Sequence, residues 1–123
     1  MNRFVAYVAI SSLFGACSYV KNWQGTTNPD LVQAKFDALQ GEQRFILHVP
    51  SNDTYLTYRF AETAGDLQAA IKSPSSVVFA KKIDASEKNS LHLVNQKGAA
   101  YTVIVKGKRA SGEFDVRFTP VAN

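Results

Sequence analysis

The sequence has little of what marks an enzyme or a disulfide-stabilised secreted protein. Its 123 residues include one cysteine, so no disulfide can form within the chain and packing alone must hold the fold. The two histidines, His48 and His92, lack the H-x-H or H-x-x-x-H spacing of a metal-binding pair. No G-x-S-x-G motif, glycine-rich phosphate loop or D-x-D-x-D calcium loop occurs. We therefore expect no cofactor, no metal site and no catalytic activity.

The charge is too small for a nucleic-acid-binding protein. Fourteen lysines and arginines stand against ten acidic residues, a formal net charge of +4. A protein that binds nucleic acid shows a denser basic face, so we expect no such partner. A mild positive charge is compatible with anionic lipid, lipopolysaccharide or cell-wall polymers, and also with an ordinary domain that has a slight excess of lysine.

The N-terminal segment has the pattern of a secretory signal peptide. Arg3 precedes an uncharged, largely apolar segment over residues 4–14, and the small residues Gly15 and Ala16 follow. This segment is shorter than the roughly 20 apolar residues that span a bilayer. We expect residues 1–16 to be a helical signal peptide that is removed.

The five residues LFGAC, which end at Cys17, resemble the lipobox of bacterial lipoproteins, with Phe14 in the place where Leu is usual. The resemblance implies that the thiol of Cys17 receives a diacylglyceryl group and that the chain is cut after Ala16. It also implies a lipid anchor in the cell envelope, and Ser18 in place of Asp implies the outer membrane of a Gram-negative bacterium. The alternative is an ordinary signal peptide that leaves Cys17 as a free or buried thiol. Two or more acyl chains would give stable anchoring.

Residues 17–30 are interpreted as the lipidated cysteine and a flexible tether, because Gly25, Pro29 and their polar neighbours break regular structure. Trp23 is the exception, and we expect it to dock on the domain; the alternative is the lipid headgroup zone. Residues 31–40 fit two patterns. Val32 and its apolar neighbours alternate as in a strand, yet the same stretch has helical spacing after Pro29. The strand is preferred because strands follow.

Residues 31–123 predict a single all-β domain. Short alternating runs separated by turn formers are typical of an antiparallel β-sandwich, here of about eight strands and jelly-roll-like. Two of the predicted turns are Ala64-Gly65-Asp66 and Ala110-Ser111-Gly112. The apolar positions after residue 40 that should face the core are Phe45, Leu47, Val49, Leu56, Tyr58, Phe60, Leu67, Ala69, Ile71, Val77, Phe79, Ile83, Leu91, Leu93, Tyr101, Val103, Val105, Phe114, Val116 and Phe118.

Two spaced patterns resemble the bacterial pre-peptidase C-terminal domains and their jelly-roll relatives. The first is G-x-L-x-x-x-I-x-x-P over residues 65–74, and the second is G-x-x-Y-x-V-x-V-x-G followed by G-x-F-x-V over residues 98–116. The resemblance covers roughly residues 41–119. It implies a small β-sandwich that serves as an accessory or binding module rather than a catalyst.

The most pointed surface feature is a basic cluster, which we place at the tip of the last predicted hairpin. It consists of Lys106, Lys108 and Arg109. One hypothesis is contact with phosphate-bearing lipid or an anionic polymer, and the alternative is a solvated tip that resists edge association.

These observations predict a non-enzymatic binding module displayed at the membrane. Its partners are the membrane, through the lipid anchor, and an anionic envelope polymer or another envelope protein. A second hypothesis is an inhibitor of a hydrolase such as lysozyme. Residues 97–101 resemble the S-G-x-x-Y loop of bacterial lysozyme-inhibitor lipoproteins, with Lys97 where that loop has Ser.

Overall fold

Six β-strands build residues 19–121, the part of the chain that the computed structural model describes. They are β1 Tyr19–Asn28, β2 Leu31–His48, β3 Asp53–Lys72, β4 Val77–Ile83, β5 Ser86–Val94 and β6 Ala100–Thr119. Every strand pairing is antiparallel and this part of the chain contains no helix. The predicted all-β antiparallel class is therefore confirmed. The predicted signal peptide, residues 1–16, and Cys17 lie outside the described residues.

Three long strands carry the architecture. The strands β2, β3 and β6 have 18 to 20 residues each, and β6 lies between the other two along most of its length. The sheet order is β1-β2-β6-β3-β4, and β5 also pairs with β3. Residues 53–61 of β3 pair with β5, whereas residues 67–72 pair with β4. The strand at the edge beside β3 is therefore β5 along its first half and β4 along its last residues.

The three long strands are irregular near their middle, at residues 36–41 of β2, 62–66 of β3 and 107–112 of β6. We call this line across the sheet the fold line. The pairing of β2 with β6 shifts register between Phe36 and Gly41, and that of β3 with β6 shifts within residues 62–66. On this line Gly65 has a φ of 76°, and a Cβ there would lie 2.2 Å from the carbonyl oxygen of Arg109. Irregularities of this kind bend and twist a strand. Here they fold the sheet so that its two halves face each other.

The two halves of the sheet form two packed layers. Layer one contains β1, β5, residues 31–37 of β2, residues 53–62 of β3 and residues 112–119 of β6. Layer two contains β4, residues 41–48 of β2, residues 66–72 of β3 and residues 100–107 of β6. Ring contacts join them, and among these are Phe45–Phe114 at 5.8 Å, Tyr58–Phe79 at 4.8 Å and Tyr101–Phe118 at 5.9 Å between ring centroids. The fold is therefore a β-sandwich made from one continuous sheet.

The core lies between the layers and follows the predicted alternation. Most of the predicted positions are buried there, including the fully buried Phe60, Leu67, Ile71 and Val103. Val77 and Leu91 differ, since 56% and 41% of their surface is exposed. Val77 lies on β4 and Leu91 lies on β5. Both are edge strands, where the space between the two layers is open to solvent.

The strand count differs from the expected eight because three pairs of predicted strands are continuous. The sequences Ala64-Gly65-Asp66 and Ala110-Ser111-Gly112 were expected to be turns, but they lie inside β3 and β6 on the fold line. Small residues permit the close backbone approach that the bend requires, so pairing resumes beyond it. The preferred strand at residues 31–40 is confirmed, as the first part of β2.

The stretch interpreted as a tether contains a strand. Tyr19–Asn28 forms β1 and pairs with β2, with Gln24 opposite Lys35. Two features stabilise this strand although its sequence contains residues that break regular structure. The backbone pairs along its length, and the indole of Trp23 stacks on the ring of Phe36 at a centroid distance of 5.5 Å. The expected docking of Trp23 on the domain is confirmed.

Candidate functional site

The outer surface of layer one is a polar sheet face. On β6, burial of Phe114 and Val116 directs Glu113, Asp115 and Arg117 to the outside, because successive side chains point to opposite faces. The same alternation holds on the neighbouring strands. We call this outer surface the polar face. Its outward side chains are Gln24, Thr26, Gln33, Lys35, Tyr55, Thr57, Arg59, Lys88, Ser90, His92, Glu113, Asp115, Arg117 and Thr119.

One row of the polar face runs directly across all five strands of layer one. Its members lie opposite one another in the pairing register, so their side chains are neighbours on one face. Four interstrand spacings separate the ends of the row, about 19 Å. The row consists of Thr26, Gln33, Asp115, Arg59 and Lys88.

Two arginine–carboxylate pairs occupy the centre of this face. The Arg117 guanidinium donates to both carboxylate oxygens of Asp115, with Nε 2.7 Å from Oδ1. This hydrogen bonding raises the pKa of Arg117. Arg59 donates from Nη1 to Oε2 of Glu113 at 3.0 Å. Each pair fixes a long side chain in place, since a planar guanidinium matches a carboxylate in geometry.

Two lysines flank this centre without an acidic partner. Lys35 on β2 and Lys88 on β5 are exposed, and neither takes part in an ion pair within residues 19–121. Each lies beside an arginine pair, because Glu113 is opposite Lys35 and Arg59 is opposite Lys88. The centre of the polar face is therefore close to neutral, and the excess positive charge lies on the two flanking lysines.

A groove follows the polar row. Two clefts, of about 290 and 370 Å³, adjoin each other, since Arg59 and Asp115 line both; together we call them the groove. The first extends to Lys88 on β5, and the second extends to Thr26 on β1. Because β1 and β5 are the edge strands of layer one, no further strand of residues 19–121 lies beyond either end. Amide, hydroxyl, carboxylate and guanidinium groups line this groove.

A stacked aromatic pair lies next to the groove on the same face. The rings of Tyr55 and His92 are 4.5 Å apart at 14° between planes. Nε2 of His92 lies 2.5 Å from Oδ1 of Asp53. Both histidines, His48 on β2 and His92 on β5, are exposed.

The basic cluster of Lys106, Lys108 and Arg109 does not lie at a hairpin tip. It lies within β6 at the fold line, because residues 100–119 form one strand. All three residues are exposed, as expected. Glu42 lies opposite Lys106 and Asp66 lies opposite Lys108 in the sheet register. Carboxylates therefore adjoin two of the three cations, and the cluster lies outside the groove.

The loop that resembles lysozyme inhibitors keeps its tyrosine in the core. Tyr101 is 1% exposed and donates from its hydroxyl to Oε1 of Gln96 at 2.5 Å. Burial raises the pKa of this phenol. The loop is held by Gly98, whose N–H donates to the carbonyl of Val49 at 2.8 Å. Of residues 97–101, Tyr101 is therefore not available for contact with a partner.

Within residues 19–121, no group of three or more histidine, cysteine, aspartate or glutamate side chains is placed to hold a metal ion. In the same part of the chain, no helix has the length and apolar character to cross a membrane.

No protein-family model matches the sequence. A comparison with curated proteins found no match. Among solved structures, the chain is similar to a CBM4 structure, at 7% identity and a TM-score of 0.45, over 90% of this chain and 83% of that one. It is similar to a cupin domain from Bordetella pertussis Tohama I, at 11% identity and a TM-score of 0.37, over 85% and 93% of the two chains.

A third similar structure is TmCBM61 in complex with β-1,4-galactotriose, at 12% identity and a TM-score of 0.33, over 85% of this chain and 68% of that one. All three TM-scores are below 0.5, so we base neither the fold nor the function on these similarities. The all-β class and the groove rest on the strands and side chains described above.

Proposed function

We propose that the protein is a non-catalytic binding module of the cell envelope, anchored by lipid on Cys17, and that it binds an envelope polymer in the groove of the polar face. The observation that carries the proposal is the pair of adjoining clefts that together follow one row of side chains across five paired strands. A depression that is open at both ends accepts a long chain, whereas a closed pocket accepts only a small molecule.

The chemistry of the groove suits a polymer rich in hydroxyl groups. Gln33 and Thr26 offer amide and hydroxyl hydrogen-bonding groups, and Arg59 and Asp115 add charged ones. Strands hold these groups in fixed positions, so little conformational entropy is lost when a ligand binds. The open surface and the polar lining favour binding to an extended chain.

The groove can be tested by filling it. The full-length chain, solubilised in detergent, is mixed with purified peptidoglycan sacculi, and the bound fraction is measured by co-sedimentation. Gln33→Trp places a large side chain on the polar row, and we expect it to abolish binding. Gln68→Trp makes the same change at an exposed position of layer two and should bind as the wild type does.

Circular dichroism establishes that both variants fold. A wild-type chain that does not sediment with sacculi, or a Gln33→Trp variant that binds as well as Gln68→Trp, would overturn the proposal.

The anchor is tested separately. We expect Cys17→Ser to move the protein from the membrane fraction to the soluble fraction and to remove acyl-label incorporation. Continued recovery with membranes and detergent micelles would show that lipid on Cys17 is not the anchor.

A further inference from the structure

The charges that line the groove indicate which class of polymer it binds, which goes beyond the proposed function. Four cations and two carboxylates lie together on this part of the polar face: Lys35, Arg59, Lys88, Arg117, Glu113 and Asp115. Both carboxylates are already engaged by the arginines. The centre of the groove is therefore close to neutral, and the two lysines hold the remaining positive charge.

The two lysines are far apart. Lys35 is on β2 and Lys88 is on β5, so two strands, β6 and β3, lie between them. Three interstrand spacings and an offset of two residues along the strands place their backbones about 16 Å apart. This distance exceeds one sugar unit. An extended chain with separated acidic groups can therefore contact both lysines while each side chain projects straight out from the sheet.

Lysine suits this role at an exposed site. Its ammonium group has three donors on a flexible stem and can follow a ligand whose position varies. The arginines of the centre are different, since Asp115 and Glu113 neutralise them but engage only some of the five N–H donors of each guanidinium. The centre can therefore donate its remaining N–H groups to neutral units, and the lysines offer charge to acidic ones.

We propose that the groove selects an acidic glycan, in which neutral sugar units cross the arginine–carboxylate centre while separated acidic groups contact Lys35 and Lys88. This inference rests on the proposed function, because it names the class of polymer bound by the same groove. A glycan is favoured over single-stranded nucleic acid, since the aromatic residues that line the two clefts, Tyr58 and Phe114, have rings buried in the core. The stacked pair of Tyr55 and His92 lies outside both clefts. Nucleic-acid grooves use exposed aromatic rings to stack bases.

The test compares three soluble polymers of matched length by isothermal titration calorimetry with the full-length chain in detergent. Hyaluronate carries a carboxylate on alternate sugars, dextran is neutral, and single-stranded DNA is a polyanion that is not a glycan. We expect the tightest binding to hyaluronate at low salt. Most of its advantage over dextran should disappear at about 1 M salt, where charges are screened within about 3 Å.

The variant that tests the lysines is the double change Lys35→Gln with Lys88→Gln. We expect hyaluronate to bind about 10-fold to 30-fold more weakly, since each cation near an anionic partner contributes about fivefold. Binding of dextran should not change. Lys72→Gln with Lys97→Gln removes the same charge at exposed positions outside the groove and is the matched control.

Equal affinity of the wild type for hyaluronate and dextran would overturn the inference, as would equal loss in the two double variants. DNA binding as tight as hyaluronate binding, with the same dependence on Lys35 and Lys88, would also overturn it. In each case the proposed function still stands if Gln33→Trp abolishes sacculus binding. The two claims therefore fail separately.

Discussion

The indole of Trp23 on β1 lies nearly parallel to the ring of Phe45 on β2, with centroids 6.0 Å apart and 19° between planes. The two residues belong to different layers of the sandwich. Trp23 also contacts Phe36 and Phe114. This one side chain therefore covers the core at the edge of the sandwich where β1 pairs with β2. A strand that the sequence presents as a tether thus contributes to the core.

Replacing Trp23 should therefore destabilise the whole domain. We expect Trp23→Ala to lower the free energy of unfolding by about 2 kcal/mol, less than the roughly 3–5 kcal/mol of a fully buried aromatic because the indole is partly exposed. Urea unfolding followed by circular dichroism measures the loss. Tyr19→Ala removes an exposed aromatic from the same strand and should change stability by less than about 0.5 kcal/mol. Similar losses in both variants would mean that β1 is not part of the cooperative unit.

The fold line makes a second prediction, on backbone packing. Gly65 and Gly98 both have positive φ, at 76° and 88°. A Cβ at residue 65 would lie 2.2 Å from the carbonyl oxygen of Arg109, whereas a Cβ at residue 98 would meet nothing within 4 Å. Both changes to alanine incur the conformational cost of positive φ, about 1 kcal/mol. Only Gly65→Ala adds a backbone clash.

We expect Gly65→Ala to lower the melting temperature by at least twice as much as Gly98→Ala, or to prevent folding. Differential scanning calorimetry measures the two shifts. Equal shifts would show that the strands do not approach each other so closely at the fold line.

The two buried phenols should make the fold sensitive to alkali. Burial raises the pKa of Tyr58 and of Tyr101 above the ordinary value for a tyrosine, which is about 10. The unfolded chain therefore loses these protons at lower pH than the folded one. The stability that this difference contributes is complete below about pH 10 and is lost as the pH rises towards the folded-state pKa.

Tyr101→Phe should reduce the loss of stability as the pH rises above about 10, where a tyrosine of the unfolded chain ionises before the buried one does. At neutral pH the same change should cost about 1 kcal/mol, because the hydrogen bond to Gln96 is removed. Tyr19→Phe, at an exposed position, is the control. A pH profile of Tyr101→Phe that runs parallel to that of the wild type would contradict this account.

The basic cluster at the fold line should matter little for stability. We expect the combined change Lys106→Gln, Lys108→Gln and Arg109→Asn to shift the melting temperature by only a few degrees, since exposed charges typically contribute a few tenths of a kcal/mol each, about 1 kcal/mol or less together. Asn is chosen because Arg109 has a φ of 51°, which Asn tolerates. Binding to anionic lipid vesicles, measured by co-sedimentation at low salt, tests whether the cluster also binds a surface. Unchanged vesicle binding would rule out that role.

Alternation of side chains could be predicted from the sequence, because it depends only on neighbouring residues. Phe114, Val116 and Phe118 alternate with polar residues, and all three are buried as expected. Alternation could not predict that β6 continues through Ala110-Ser111-Gly112 instead of ending there in a turn. Small residues suit both a turn and a bend within a strand, and only the pairing of β6 with two long partners distinguishes them.

The groove depends on register, which the sequence pattern leaves open. Lys35 and Lys88 are 53 positions apart in the chain, and their places on one face depend on how β2, β6, β3 and β5 align. Each lysine by itself resembles any exposed residue of a strand. The one local signal is that both occupy positions opposite to the apolar set, which predicts exposure but no partner.

Pairing of β1 with β2 determines how far the module can reach. Tyr19 is two positions from Cys17, so no flexible spacer of tether length separates the proposed acyl chains from the rigid sheet. Thr26, at the near end of the groove, is seven positions from Tyr19 along β1, about 24 Å for an extended strand. With the anchor at Cys17, the near end of the groove would then stay within about 30 Å of the bilayer surface. Under the proposed function, a polymer would therefore have to come to the membrane to be bound.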